Sequence, residues 1–463
     1  MNTTVTDNNG QMPDHDISFK EKLAYGLGDF ATGFSGVTVG TFALYYYTDI
    51  VGVSATLLGA VLLFSRVFDA VINVVMGYIV DRTKSKHGKA RAWILWSTIP
   101  FGLSLIMVFS APENWSEFAL LIFAGITLNI HWIIYTSSNI PYGTLAALMT
   151  QNSYQRSRLN TYRMLCYFAS MLIIPYITLP LVNFFGGGER GWQFTMIIYA
   201  AILIMTFFYT FFNTKERIKP INQFNYNAPS IGVSLKTLLA NKYWVTMFFT
   251  MLVSFSILGL INGVGVYYAK YLLADSQLIG LINMAFALPL VVVLMCSAYI
   301  LKIMSRLTFI IVGMATIILG STIMAVAPQD TNVAIIGTIL RGAGFAPIMG
   351  NAYSMLANTI DYGEWKFGIR NDGLVYSGGS FSAILGSGIA SGGIGWVLGM
   401  AGYIATDDVA NQPESVLTTL QILFIYSPLI LSAITIILLR FYTLEKIYPD
   451  IIKELAQRTH NVY

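Results

Sequence analysis

The stretch SATLLGAVLLFSRVFDAVINVVMGYIV, residues 54–80, decides the fold class. It is longer than the ~20 apolar residues that an α-helix needs to cross a bilayer, and only Arg66 and Asp69 within it are ionisable. The whole chain is similar, with 55% hydrophobic and 11% charged residues, against roughly 25% charged in a typical soluble protein. So few charges cannot cover a water-exposed fold of 463 residues. The sequence therefore predicts an integral, all-α membrane protein.

Eleven further apolar stretches accompany this one, and a polar gap divides the twelve into two sets of six. The other eleven lie at about 25–48, 92–111, 117–148, 161–185, 191–213, 243–273, 277–301, 307–327, 333–360, 373–403 and 416–440. The gap is the longest polar segment between stretches and contains Pro220 and Pro229. We therefore predict twelve transmembrane helices, divided into a tail at 1–24, six helices in 25–213, a linker at 214–242, six helices in 243–440 and a tail at 441–463.

The distribution of basic residues predicts the orientation in the membrane. Of the 27 Lys and Arg residues, 21 fall in the two tails or in the loops that follow even-numbered spans, and Arg163 and Arg440 adjoin these regions. Lys and Arg in short loops resist translocation. We therefore expect both termini to be cytoplasmic in a multi-pass protein of the cell membrane, and one chain with a complete set of spans suffices as a monomer.

Several functional classes are excluded by what the sequence lacks. The basic residues are dispersed rather than gathered into one patch, which argues against nucleic-acid binding. Cys166 and Cys296 lie within apolar runs, and no GxxxxGK[ST] or HExxH motif is present. These features predict no catalytic site, no metal site, no nucleotide site and no cofactor other than a coupling cation, H⁺ or Na⁺.

The strongest functional signal is charge in the middle of a predicted span. Arg66, Asp69 and Asn73 lie three and four residues apart, on one helix face. A charged side chain there costs at least ~2.5–3.5 kcal/mol to insert and is a functional candidate by default. Asp69 could accept a cation or a proton, with Asn73 adding a carbonyl oxygen. The alternative is that Arg66 and Asp69 only neutralise each other.

Other polar and aromatic residues within the spans suit a polyol ligand, because sugars have apolar faces and polar rims. His131 could relay protons or bond a hydroxyl, and it could equally be a hydrogen-bonded core residue. The residues that we expect to bind substrate are Asp29, His131, Tyr135, Asn139, Tyr142, Arg163 and Tyr376.

Two mixed-charge strings lie on the predicted cytoplasmic side, GYIVDRTKSKHGKARAWI at 77–94 and DYGEWKFGIRND at 361–372. Contacts between such strings could latch one state of a moving transporter. The first string could instead be a simple positive-inside anchor. The residues that we expect to contribute to gating are Asp81, Arg82, Lys89, Arg91, Asp361 and Glu364.

Several motifs together resemble a known transporter family. They are YGLGDF (25–30), YYYTD (45–49), RVFDAVINVVMGYIVDRTKSKHGKARAWI (66–94), NIPYGTL (139–145), RSRLNTYR (156–163) and DYGEWK (361–366). The chain resembles the glycoside-pentoside-hexuronide:cation symporter family, in the melibiose-permease-like branch of the major facilitator superfamily, over residues 18 to 445. The resemblance implies two pseudo-symmetric six-helix bundles with a sugar site between them near the midplane, and alternating access.

The resemblance also assigns roles to individual positions. Asp69 matches the first of two acids that bind the coupling cation, and Asn73 stands where the second acid belongs. Asn139 occupies a sugar-binding position, and Gly33 replaces a sugar-binding acid one turn after Asp29. Ile384 and Asn358 stand where many members have a lysine and an acid. Because several positions that are charged in relatives are neutral here, we expect coupling to protons through Asp69, or weak or absent coupling, rather than sodium coupling.

The sequence therefore predicts a secondary active transporter that imports a glycoside, pentoside or small oligosaccharide, with a xyloside as the favoured class. An uncoupled facilitator or exchanger is the alternative in mechanism. A lipid carrier would need an apolar slot rather than the aromatic and amide residues of the fourth span. A multi-span glycosyl transferase would need acidic loop clusters, for which Asp407 and Asp408 are the only candidates.

Overall fold

The computed structural model describes residues 17–150, 153–217, 231–369, 372–405 and 411–460. All regular structure in these ranges is helical. The helices are α1 Phe19–Tyr45, α2 Ala55–Arg82, α3 Arg91–Val108, α4 Glu117–Met149, α5 Ser153–Phe184, α6 Gly188–Asn213, α7 Ile231–Ala240, α8 Lys242–Tyr267, α9 Leu278–Ile300, α10 Arg306–Val326, α11 Thr331–Phe367, α12 Asp372–Met400, α13 Glu414–Gln421, α14 Ser427–Arg440 and α15 Leu444–His460. Short π-helical turns extend α1 over Tyr46–Ile50 and α8 over Tyr268–Leu272, and a third, Ile422–Tyr426, joins α13 to α14.

Each predicted apolar stretch coincides with one of the long helices or with the continuous α13–α14 helix. Eleven helical segments in the described part of the chain are long and apolar enough to cross a membrane. The 27-residue α1 is not among them, although it is as long as the others. Its sequence contains Glu21, Lys22 and Asp29, whose side chains are buried against other helices. The protein is therefore an all-helical, multi-pass membrane protein.

Local sequence signals explain several helix ends. The Ser18 hydroxyl accepts a hydrogen bond from the backbone N–H of Glu21 at 3.2 Å, and the Asp330 carboxylate caps α11 through two backbone N–H groups. Such caps satisfy donors that the first helical turn leaves free. At the other end of α11, Gly368 has a φ of +67°, a left-handed conformation that glycine adopts without steric cost.

The long helices form two sets, which we call the first half (α1–α6) and the second half (α8–α14). In the first half α1 packs on α5 and α6, and α4 packs on α2 and α3. In the second half α8 packs on α12 and α14, and α11 packs on α9 and α10. The halves meet where α2 packs on α12, α5 on α9 and α1 on α8.

Glycines bring α2 and α12 into close contact. A Cβ atom added to Gly59 would lie 2.6 Å from the Gly392 carbonyl oxygen, and one added to Gly392 would lie 2.5 Å from the Cβ of Leu63. Small residues of this kind allow helix backbones to approach closely in a membrane. By contrast, Gly40 of α1 has nothing within 4 Å of an added Cβ.

The connections between the helices lie at two opposite ends of the molecule. The clamp end contains the connections 51–54 and 273–277 together with the start of the α12–α13 connection. The basic end contains the connections 83–90 and 301–305 together with α15. Of the predicted linker 214–242, the structure describes residues 214–217 and 231–242, which adjoin the basic end.

Candidate functional site

Asp69 lies halfway along α2 and is 3% exposed. Its Oδ1 atom accepts a hydrogen bond from the Thr136 hydroxyl of α4 at 2.7 Å and one from the Asn73 amide at 3.0 Å. Within the described residues, the other carboxylate oxygen accepts no hydrogen bond. The carboxylate is therefore fixed on one side and open on the other.

The orientation of Asn73 differs from the expectation that its carbonyl oxygen would serve a cation. Its amide nitrogen faces Asp69 and donates to the carboxylate, to the Asp69 backbone carbonyl at 2.9 Å and to the Thr136 hydroxyl at 3.2 Å. The reason is local, because an amide one turn after a carboxylate can satisfy it best by donating. Asn73 thus presents donors, not an oxygen ligand, to the Asp69 site.

Arg66 is not simply an ion-pair partner of Asp69. Its guanidinium lies 3.7 Å from the centroid of the Trp132 ring, within range of a cation–π interaction. In the described part of the chain it forms no ion pair with Asp69 within 4.0 Å, although the two charges remain within electrostatic range. The two residues therefore share an environment without mutual neutralisation by direct contact.

Asp29 and Arg163 form an ion pair between α1 and α5. The Arg163 Nε atom lies 3.0 Å from the Asp29 Oδ2 atom, and the Thr32 hydroxyl donates to Oδ1 at 3.0 Å. Tyr142 of α4 packs beside this pair, with its ring stacked on Tyr25 at 4.9 Å and its hydroxyl donating to the Tyr25 backbone carbonyl. Because Tyr142 is fully buried and its hydroxyl is occupied, it forms the wall behind the pair and does not face a substrate.

Tyr135 and Asn139 lie one turn apart on α4 and are both partly exposed. Neither side chain has a hydrogen-bond partner among the described residues. The Tyr135 ring packs edge-on against Trp132 at 5.3 Å, and the tyrosine lies within electrostatic range of both Asp29 and Asp69. The two polar groups are therefore free to bond a ligand that enters between the two carboxylates.

Two residues that the sequence analysis did not single out belong to the same region. Thr136 bonds Asp69, and Tyr167 of α5 lies against Gly33, where an added Cβ would be 2.8 Å from its ring. Tyr167 follows Arg163 by one helical turn, so the helix period could have identified it. A larger residue at position 33 would clash with this tyrosine and with the Ser170 hydroxyl, which would lie even closer to an added Cβ.

His131 does not face an open site. It is 0% exposed, its Nε2 atom lies 3.0 Å from the Ser35 hydroxyl of α1 and its Nδ1 atom lies 2.9 Å from the Ser104 hydroxyl of α3. Both ring nitrogens are therefore used inside the first half. His131 is thus a hydrogen-bonded core residue in this structure, the alternative that the sequence left open, and its role in substrate binding stays a prediction.

Tyr376 lies near the start of α12, away from the α4 residues. Its ring is exposed and stacks on Tyr353 of α11 at 6.5 Å. Ser380, one turn further along α12, lies 3.5 Å from the Tyr353 hydroxyl. The structure therefore separates Tyr376 from the other predicted substrate residues and places it in an aromatic pair of the second half.

The predicted gating residues have their described contacts at the basic end. The backbone N–H groups of Lys89 and Arg91 donate to the Glu216 carboxylate at 2.9 and 2.8 Å, which places an anion at the amino terminus of α3. The Arg91 guanidinium also donates to the Phe211 carbonyl.

In the second half, Asp361 accepts a hydrogen bond from the Tyr448 hydroxyl of α15 at 2.7 Å, and Glu364 is half-buried on the same helix as Asp361. The side chains of Asp81 and Arg82 lie outside the described residues.

A cluster at the opposite end joins the two halves, and we call it the clamp. The Asp49 carboxylate accepts hydrogen bonds from Lys270 at 2.8 Å, Tyr271 at 3.0 Å and Tyr403 at 2.6 Å. Burial, with Tyr267 and Asp49 nearby, raises the pKa of Tyr403, so the phenol stays protonated and donates. The sequence alone shows only that Asp49 and Lys270 lie at the ends of distant spans. It does not show that they meet, so the clamp could not be predicted from it.

Comparisons with known proteins identify the family of the chain. Residues 24–446 match the family model described as MFS/sugar transport protein. The chain is 32% identical over 448 residues to an isoprimeverose transporter of Lactiplantibacillus pentosus, covering 96% of this chain and 92% of the relative. It is 29% identical over 451 residues to an inner membrane symporter of Escherichia coli (strain K12), covering 92% of each.

Solved structures show the same fold. A bacterial homologue of the human lysosomal transporter Spinster, in an inward-facing and unoccupied conformation, superposes with a TM-score of 0.66 at 10% identity, covering 93% of this chain and 97% of that one. The family match spans nearly the whole chain and includes every residue of the Asp69 and Asp29 sites. The chain therefore belongs to the MFS/sugar transport protein family and, as its motifs indicated, to the glycoside-pentoside-hexuronide:cation symporters of the major facilitator superfamily.

Proposed function

We propose that the protein is a secondary active transporter that imports a glycoside, pentoside or small oligosaccharide, with a xyloside as the favoured class, together with a proton. Twelve transmembrane helices in two pseudo-symmetric six-helix bundles, residues 25–213 and 243–440, carry out alternating access. The linker 214–242 and the tails 1–24 and 441–463 lie in the cytoplasm. The protein resides in the cell membrane, and one chain forms the complete pathway.

The observation that carries this proposal is the half-open Asp69 carboxylate beside Tyr135 and Asn139, whose polar groups have no partner among the described residues. An aromatic ring, an amide and a carboxylate suit a sugar's apolar faces and hydroxyl rim. The isoprimeverose transporter among the relatives carries a xyloside, which supports that substrate class.

The basic end faces the cytoplasm in this proposal, because Lys and Arg concentrate there. The clamp end then faces outward, and the Asp49–Lys270 contact closes the outer side of the pathway. In this proposal the structure is a state that is closed to the outside by the contact between Asp49 and Lys270.

The surroundings of Asp69 favour a proton over sodium. A sodium ion needs several oxygen ligands, whereas Asp69 is surrounded by the donors of Asn73 and Thr136 and by the positive charge of Arg66. A carboxylate can take up a proton on its open oxygen without further ligands. In the cycle, Asp69 binds a proton when the outer side is open and releases it when the inner side is open.

The test is uptake of labelled xylosides into vesicles that contain the purified protein, with pH and sodium gradients imposed separately. We expect a pH gradient, acidic outside, to drive accumulation. Strong stimulation by sodium alone would contradict proton coupling, and equilibration without accumulation under either gradient would favour the uncoupled facilitator. No saturable uptake of any glycoside would contradict the substrate class.

Asp69→Asn should abolish accumulation against a gradient and retain downhill exchange, because an amide cannot exchange a proton. The matched control is Asp275→Asn, an exposed carboxylate in the α8–α9 connection, which should accumulate sugar like the parent. Accumulation by Asp69→Asn at the level of this control would show that Asp69 has only a structural role.

A further inference from the structure

A cavity of about 910 Å³ lies at the basic end of the second half, apart from the Asp69 region. It is enclosed by the α9–α10 connection, the end of α14 and the start of α15. All three segments are ends of membrane-crossing helices or adjoin them. The cavity therefore lies at the depth of the lipid headgroups, and its volume is in the range of small-molecule sites.

The cavity is basic. Arg306, Arg440 and Lys446 line it together with a single carboxylate, Glu445. That carboxylate already accepts from the Leu307 backbone N–H at 3.2 and 3.4 Å, at the amino terminus of α10. Among the described residues, none of the three cations forms an ion pair. This excess of positive charge in the cavity favours the binding of an anion.

The rest of the lining and its rim are apolar. Leu301, Ile311 and Leu439 lie inside the cavity, and beside it Ile303 and Phe441 are 70% and 67% exposed. Exposed apolar side chains at the end of a membrane helix face acyl chains. An anion that fits this site should therefore carry hydrocarbon next to its charge.

We propose that this cavity binds the headgroup of an anionic phospholipid, with the phosphodiester between Arg306, Arg440 and Lys446 and the acyl chains along Ile303 and Phe441. Guanidinium groups are well suited to phosphate oxygens, and basic pockets between transmembrane helices on the cytoplasmic side hold such headgroups. The paired hydroxyls of Ser305 and Thr308, 3.0 Å apart on the cavity wall, can bond the glycerol of phosphatidylglycerol.

Such a lipid would also hold α15 in place. Tyr448 on the cavity wall bonds Asp361, and Glu454 further along α15 accepts from the Trp365 indole at 2.7 Å. The headgroup would thereby connect the membrane to the predicted gating segment of α11. This site is independent of the identity of the transported sugar.

The test measures lipid binding to the full-length protein in detergent by native mass spectrometry. Phosphatidylglycerol and phosphatidylcholine with the same acyl chains are compared, and inorganic phosphate is added as a competitor. We expect phosphatidylglycerol to bind roughly tenfold more tightly or better, because each cation near the headgroup contributes about a fivefold gain in affinity. Equal binding of the two lipids would overturn the proposal. Displacement of phosphatidylglycerol by millimolar phosphate would show that the site takes a soluble anion instead.

Variants locate the site. Arg440→Gln and Lys446→Gln should each weaken phosphatidylglycerol binding about fivefold, and together with Arg306→Gln on the order of 100-fold. The matched control, Lys453→Gln, removes an exposed cation of α15 outside the cavity and should change binding less than about twofold. If the triple variant does not fold, Arg306→Lys with Arg440→Lys keeps the charge and should keep the preference for phosphatidylglycerol. Unchanged binding in the single Gln variants, or a loss equal to theirs in Lys453→Gln, would overturn the assignment.

Discussion

The clamp end and the basic end use the same kinds of charged residues in different ways. At the clamp end, Asp49 of the first half bonds Lys270 of the second half. At the basic end, two described carboxylates have partners within one half, since Glu216 receives the N–H groups at the start of α3 and Glu21 pairs with Arg217. We therefore expect charge that crosses between the halves to control which end is closed, and charge within a half to fix a loop.

The two ion pairs, Asp49–Lys270 and Glu21–Arg217, also differ in burial and therefore in how much each contributes to stability. The side chains of Asp49 and Lys270 are 1% and 10% exposed, whereas that of Arg217 is 34% exposed. Removing one partner of a buried ion pair costs about 3–5 kcal/mol, because the other charge stays buried and unpaired. Exposed pairs contribute only about 0–1 kcal/mol. The clamp should therefore be the more sensitive of the two ends.

The largest effect is expected from Lys270→Met. The substitution leaves Asp49 buried without its cation, so the closed clamp loses stability and the population shifts towards a state that is open at this end. Access is measured by labelling a cysteine introduced by Asn139→Cys, in a background with Cys166→Ser and Cys296→Ser, using an impermeant thiol reagent added outside. We expect labelling to become about 100-fold faster or more.

Two controls accompany this experiment. Lys302→Met removes an exposed lysine at the basic end and should leave the labelling rate unchanged. Lys270→Arg retains the charge and should restore most of the parent's protection. If Lys270→Met labels no faster than Lys302→Met, the clamp does not control access, and the comparison between the ends fails.

The second prediction concerns the glycine contact between α2 and α12, which also joins the halves. Gly392→Ala adds a Cβ atom 2.5 Å from the Leu63 Cβ and 2.8 Å from the Gly59 carbonyl oxygen. Overpacking of this kind costs about 1–3 kcal/mol, so the same labelling rate should rise about 5- to 150-fold. Its neighbour Gly393 has nothing within 4 Å, and Gly393→Ala should behave like the parent. Equal effects of the two substitutions would mean that the contact is not a closure surface.

The sequence predicted the membrane helices closely because lipid requires long apolar helices. The predicted span 117–148 compares with α4 at Glu117–Met149. The prediction was less exact where a helix continues into water, as in α5, which begins at Ser153 although its apolar stretch begins at 161. Hydropathy predicts only the part of a helix that lies within the membrane. The full length of the helix depends on backbone hydrogen bonds, which continue beyond the membrane.

Within the site, sequence could predict neighbours on one helix and little else. The spacing of Asp69 and Asn73 correctly predicted that they meet, but it could not predict which end of the amide faces the carboxylate. Thr136 reaches Asp69 from another helix, and Lys270 reaches Asp49 across 221 positions. Such contacts depend on how helices pack, and a single sequence does not contain that information.

The third prediction compares two residues of α4 that the sequence had grouped together. His131→Ala removes the only described hydrogen-bond partner of the buried Ser35 hydroxyl, whereas Ser104 still donates to the Phe101 carbonyl, and the loss costs about 1–3 kcal/mol. We expect a lower Tm and an unchanged KM for sugar in the folded fraction. Asn139→Ala, at a partly exposed position, should raise KM and leave Tm unchanged. An increase in KM for His131→Ala as large as that for Asn139→Ala would show that His131 belongs to the substrate site.

The smallest effect is expected at the basic end, from Arg217→Gln. The guanidinium donates to both oxygens of Glu21, at 2.7 and 2.9 Å, and this hydrogen bonding raises the pKa of Arg217. A raised pKa contributes stability that is present below the unfolded value and is lost only as the pH rises through the folded value, far above neutrality. The contribution should therefore be constant between about pH 6 and pH 9. Because Arg217 is 34% exposed and the Gln amide can still donate to the buried Glu21 carboxylate, we expect a loss of about 1 kcal/mol or less in unfolding experiments and no change in the labelling rate. A change in labelling as large as that of Lys270→Met would show that pairs within one half also control closure.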